Sequence, residues 1–147
     1  MVEVALLVPW IFFLFVGVLD MGFYSYAIIT SENAARVAAL QTSTDPTSST
    51  NSGLACTIAM NEMQTLTNVA GKSTCANGAV SSGNPVAVTA TCSNITTGGA
   101  CSDACSTGDD CSAKVSVVYL SIPMIPIPGI LPAQMTITRN AEMRVGG

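Results

Sequence analysis

The side chains in this sequence best suited to chemistry are six cysteines and a few carboxylates. Cys56, Cys75, Cys92, Cys101, Cys105 and Cys111 all come after an apolar N-terminal stretch. An even number of cysteines in a Ser/Thr/Gly-rich region reads as a disulfide framework formed in an oxidising compartment. The competing reading, a four-cysteine zinc site, calls for paired Cys-x-x-Cys knuckles, and the sequence has none. Asp103, Asp109 and Asp110 lie in DACSTGDDC, which lacks the spacing of a twelve-residue calcium loop; a solvated loop accounts for them. There is no histidine, so the commonest general base and metal ligand is missing. Gly-rich phosphate loops, nucleophile elbows and metal-binding helix motifs are absent as well. The expectation is a non-enzymatic protein with no cofactor, no metal and no small-molecule substrate. The five basic residues (Arg36, Lys72, Lys114, Arg139, Arg144) are dispersed and the net charge is −4, which argues against nucleic-acid binding.

Two further carboxylates, Glu3 and Asp20, stand in apolar surroundings. From Val4 to Leu19 the chain carries no charge, and after Asp20 the apolar character resumes in MGFYSYAII. A bilayer-spanning helix needs about 20 mostly apolar residues, so this stretch qualifies if Asp20 lies near one interface. A helix that is apolar on all sides must be covered on all sides. Glu3 has two readings. It is a first-turn carboxylate favoured by the helix dipole, or it pairs with the free amino group of a neighbouring copy and sets the register of helices that otherwise slide. A carboxylate bordering lipid is costly unless paired. No basic residue precedes Arg36. That argues against a secretion signal and an ordinary signal-anchor, and fits a chain whose short positive leader has been removed. Trp10, Phe12, Phe13, Phe15, Phe23, Tyr24 and Tyr26 are explained by packing and membrane anchoring.

The architecture around these residues comes from periodicity. Composition suits one modest domain: 147 residues, 49% hydrophobic and only 10% charged, with mean hydropathy +0.51, against about 25% charge in soluble domains. One helix is predicted from Val2 to Leu40, kinked or weakened near Pro9 and able to loosen at Gly17 and Gly22. Its later part, TSENAARVAALQ, holds a Glu32–Arg36 pair at i,i+4 and a run of alanines that admits a close helix neighbour. Residues 1–41 are thus read as a polymerisation helix, 42–53 as a Ser/Thr-rich linker, and 54–147 as an extracellular head. In the head a second helix is expected over Leu54–Ala70, stopping at Gly71. Three strands are expected over Pro85–Cys92, Ala113–Ser121 and Gln134–Val145, the last alternating Met135, Ile137, Ala141, Met143 and Val145 against polar partners. The fold class is α+β: a long N-terminal helix, a short second helix and a small antiparallel β-meander with disulfide-stapled loops. Between the last two strands, IPMIPIPGILP is proline-rich and apolar, the composition of an interface.

The N-terminal residues resemble those of TadE-like proteins, the pseudopilins of tight-adherence pili. The resemblance rests on Val2, Glu3, Ala5, Leu6, Pro9, the Asp20-x-Gly22 step and Ala34-Ala35-Arg36, with Met143-Arg144 echoing the family's closing strand. It covers residues 1–40 well and 115–145 loosely. It implies a type IV pilin-like pathway: insertion in the inner membrane, leader removal by a prepilin peptidase, and extraction by assembly machinery into a helical homo-oligomeric filament at the cell surface. Glu3, Pro9, Leu14, Gly17, Asp20 and Gly22 are the expected assembly residues. Type IV pilins generally carry their glutamate fifth after cleavage and seldom have six cysteines. A minor pseudopilin and a non-polymerising membrane-anchored binding domain therefore stay open beside an adhesive filament subunit.

The predicted strands also suggest disulfide pairs. Cys92 and Cys111 flank a loop whose neck a bridge would close, leaving Cys101–Cys105 within it and Cys56–Cys75 to tie the second helix to the segment after it. Asn94-Ile95-Thr96 is a glycosylation sequon, and Thr47, Ser48 and Ser49 offer hydroxyls for O-linked sugars.

Overall fold

The computed structural model describes residues 2–96, 99, 110–123 and 134–145; within these, the side chains of 2, 3 and 5 are not described. The chain opens with α1, Val2–Thr42 (41 residues, about 60 Å long at 1.5 Å per residue), which runs through Pro9. A short turn of 3₁₀-helix at Pro46–Ser48 comes next, capped by Asp45, whose side chain accepts from the Thr47 N–H at 3.0 Å. The second helix, α2, spans Ser52–Glu62. Asn51 starts it by accepting the Leu54 N–H at 3.0 Å, which satisfies one of the four orphan donors of a helix N-terminus.

The second helix is shorter than its apolar spacing predicts. Beyond Glu62 the chain advances in tight i,i+3 turns: Leu66 N–H donates to Met63 C=O, Val69 to Leu66 and Lys72 to Val69, at 2.9–3.0 Å. A three-residue repeat keeps Met63, Leu66 and Val69 on one side, and all three are buried. The same residues satisfy a helical pattern on paper, so the spacing identifies the buried side but not the element. Gly71, with φ at +76°, closes the run in the left-handed region that favours glycine.

Strands β1 (Val86–Asn94), β2 (Cys111–Leu120) and β3 (Thr136–Arg144) form an antiparallel sheet in the order β1-β2-β3. The register places Val88 opposite Val117 and Val117 opposite Arg139. One face of this sheet carries both helices, α2 lying over β1 and α1 over β2 and β3. The core is therefore a two-layer sandwich: alanines of the two helices above, and Val86, Val88, Ala90, Val115, Val117, Tyr119 and Ile137 below. Ala34, Ala35, Ala38 and Ala39 of α1 and Ala55 and Ala59 of α2 are completely buried. Methyl side chains let two helices and a sheet approach closely; larger groups would force them apart. The back half of α1 is thus part of the head's core.

Tyr119, Asn68, Ser31 and Thr42 pair their polar groups within this sandwich. The Tyr119 hydroxyl donates to Asn68 Oδ1 at 2.7 Å, and Asn68 Nδ2 donates to Leu120 C=O at 2.9 Å. Burial pushes the Tyr119 hydroxyl pKa above its ordinary value, with the Asn68 contact acting in the opposite direction. Ser31 and Thr42 turn their hydroxyls back to helix carbonyls at 2.7 and 2.9 Å.

Candidate assembly helix

Along α1 the environment changes near residue 27. From Val4 to Phe15 every described side chain is exposed, including Leu14 at 69% and Trp10 at 72%. Phe23, Tyr26 and Ile29 continue this surface up to the foot of the head. The helix is long and apolar enough to cross a membrane. Burying a side chain the size of Leu or Phe is worth about 1.5–3 kcal/mol each, so this surface demands a covering other than water.

The expected assembly residues fall into distinct settings. Glu3 lies in the first turn of α1, its side chain outside the description. Pro9 is inside the helix, near its start. Gly17 is half-buried and Gly22 exposed, and a Cβ built on either would meet nothing within 4 Å. Nothing among the described residues thus requires glycine at these two positions. Asp20 is buried at 8% exposure, four residues after the buried Val16, and its Oδ2 has no hydrogen-bond partner among the described residues. The sequence suggests a membrane interface for Asp20; its burial is not readable from the pattern of neighbours.

The staples answer the cysteine pattern in part. Cys56 and Cys75 form a disulfide, tying α2 to the segment after Gly71 across 19 residues. A closed loop of that size is worth about 3 kcal/mol by restricting the unfolded chain. Lys72 helps hold the same segment, its Nζ donating to the carbonyls of Ser82 and Gly83 at 3.4 and 2.5 Å. Cys92 is disulfide-bonded, but the expected Cys92–Cys111 bridge does not form. Cys92 faces Ala113 and Cys111 faces Asn94, which makes the two cysteines diagonal neighbours. Diagonal cross-strand positions lie about 7–8 Å apart, beyond the usual Cα span of a disulfide. Instead Cys92, Cys111, Ala113 and Val145 form a small apolar cluster at this end of the sheet. Cys101 and Cys105 lie outside the described residues, as does the apolar loop beyond Pro123.

The modification candidates also separate. Ser49 is fully buried and donates to Pro46 C=O at 2.7 Å, so the folded head has no room for a sugar there. Ser48 is half-buried and donates to the carbonyls of Thr42 and Asp45 at 3.2 and 2.9 Å. Thr47 is exposed, and Asn94 is half-buried at the end of β1, with its Oδ1 accepting the Thr96 N–H at 2.9 Å.

Among the described residues no group of His, Cys, Asp or Glu could hold a metal ion. At the foot of the head, where α1 enters it, Phe23, Tyr26, Leu66, Tyr119 and Ile122 line a shallow cavity of about 80 Å³. In comparisons with known proteins, residues 1–40 match the family model described as TadE-like protein. No curated protein and no solved structure matches the chain.

Proposed function

From a TadE-like N-terminal segment, which associates the chain with Tad pilus systems, we propose that it is a structural subunit of an extracellular Tad-type filament that serves surface attachment. The observation that carries this reading is the division of α1: an apolar, exposed front half continuous with a back half that is built into the head. Lipid covers the front half while the subunit waits in the inner membrane, and sister helices cover it after assembly. A prepilin peptidase and the pilus assembly machinery are the partners this pathway requires. The absence of charge between Val4 and Leu19 permits such a transfer, because neither environment then has to solvate an ion.

Glu3 is proposed to pair with the amino terminus of a neighbouring subunit and to set the axial register. Glu3→Gln keeps the shape and removes the charge; filament yield is expected to fall or symmetry to blur, and unchanged fibres would return Glu3 to a first-turn role. The decisive experiment is electron microscopy of material sheared from the cell surface, with antibody labelling of the head. Labelling along whole fibres supports a major subunit. Labelling at fibre ends assigns a minor pseudopilin, and fibres without label assign a membrane-anchored domain that does not polymerise.

A further inference from the structure

The segment that joins Cys75 to β1 carries the dipeptide Asn77-Gly78. Both residues are exposed, and Gly78 has φ at +105°, with nothing within 4 Å of where a Cβ would stand. Among the described residues no group bonds to the Asn77 side chain or to the Gly78 N–H. The other asparagines are placed differently. Asn33 and Asn61 lie inside α1 and α2, where a helix carbonyl holds the N–H of the following residue. After Asn51, Asn68 and Asn94 the next N–H donates to the carbonyls of Thr50, Leu66 and Asp110, at 3.0, 2.9 and 2.8 Å. Pro85 follows Asn84 and has no N–H, and Asn140 is fixed in β3 opposite Ser116. Asn77 alone joins an unbonded, exposed side chain to an unbonded N–H on the next residue.

We infer that Asn77-Gly78 is a self-modification site, where the folded head converts an exposed amide into a carboxylate by spontaneous deamidation. Hydroxide removes the Gly78 amide proton, and that nitrogen attacks Asn77 Cγ. The bond from Cγ to the side-chain nitrogen breaks, ammonia leaves, and a five-membered succinimide closes. Water then opens the ring at either carbonyl and returns a proton to the nitrogen, leaving aspartate or isoaspartate at position 77. The only reactant besides the chain is water. Attack requires the two atoms to come within about 3–3.5 Å in line, which an unbonded loop reaches and a helix or paired strand resists. Glycine matters because no Cβ crowds the approaching nitrogen. The change is confined to the loop, whose base is held by the Cys56–Cys75 disulfide and by the Ala76 N–H donating to Val86 C=O at 2.7 Å. It adds one negative charge to a chain that already carries a net −4. The inference stands on exposure and bonding in the head, and holds whether or not the chain polymerises through α1.

The test ages the full chain in detergent micelles at mildly alkaline pH, beside the same chain denatured in guanidinium, and follows both by peptide mapping. In the folded chain the peptide holding Asn77 should gain one mass unit, at nearly the rate seen in the denatured chain. Part of the product should resist a protease that cuts before aspartate, which marks isoaspartate. The rate should rise in proportion to hydroxide concentration. Asn33, Asn51, Asn61, Asn68, Asn94 and Asn140 should all react more slowly folded than denatured. Asn77→Gln, whose ring would need six members, should leave its peptide unmodified over the same time, and its melting midpoint should match that of the fresh and the aged wild type. An Asn77 amide that survives in the folded chain while the denatured chain loses it overturns the inference. So does earlier conversion of any other asparagine in the folded chain.

Discussion

The two halves of α1 are one uninterrupted helix with opposite needs. From Val4 to Phe15 the front half presents large apolar and aromatic side chains in every direction, while the back half presents alanines to the head and a Glu32–Arg36 pair, 2.5 Å apart, to solvent. The difference lies in side-chain size. Leu, Phe and Trp gain by being covered but tolerate many partners, since lipid tails and neighbouring helices cover them comparably. Fully buried alanines specify one partner, because their contacts exist only at close approach. The front half can therefore change environment, whereas the back half holds a fixed structure.

Substitutions can challenge each half on its own. The largest expected effect is Leu14→Lys. A lysine at mid-helix costs about 3 kcal/mol in the membrane and more against sister helices that cannot let it reach water. Fibres should be absent by electron microscopy while the head's thermal unfolding is unchanged; normal fibres would rule out a buried helical core. Next is the Cys56–Cys75 bridge. Replacing both cysteines with serine should destabilise the head by about 3 kcal/mol, read as an earlier denaturation midpoint, with little effect on membrane insertion.

Ala35→Leu probes the back half. An added isopropyl group has no space between α1 and the sheet, so the head should lose about 1–3 kcal/mol, with insertion intact. An equally stable variant would show that the alanine face is not closely packed. The smallest effect expected is that of Tyr119→Phe, about 1 kcal/mol, since it removes the hydroxyl that satisfies Asn68 Oδ1. Tyr119 also predicts an alkaline signature. Its folded pKa is raised above that of the unfolded chain, about 10. Its contribution is therefore complete below pH ~10 and declines as pH rises through the folded value. A pH series of melting curves should show that decline in the wild type and a weaker one in the phenylalanine variant.

Much of the fold is legible in the sequence because period and composition act locally. The long helix, the three strands and their alternation come from spacing, as does the Cys56–Cys75 bridge, since a helix and the segment after it are near neighbours in any fold. The Cys92–Cys111 bridge fails for a reason no spacing could supply: a two-residue offset in register turns facing positions into diagonal ones. Arg139 interrupts the apolar series Met135, Ile137, Ala141, Met143 and Val145 of an alternating strand. Its position between Ile137 and Ala141 puts it on their face by alternation; what the sequence does not show is that its Nε is buried with no partner among the described residues.

Side-chain type and local order are enough to establish that the first half of α1 cannot remain in water, that the head is small and cross-linked, and that histidine chemistry is excluded. These properties survive any arrangement of the chain in space. Packing in three dimensions was needed to make the second half of α1 part of the core, to close Ser49 to modification, and to bury Asp20 Oδ2 and Arg139 Nε without partners among the described residues. Burial and pairing depend on what the rest of the chain brings alongside, and residues distant in sequence meet only when helices and sheet pack.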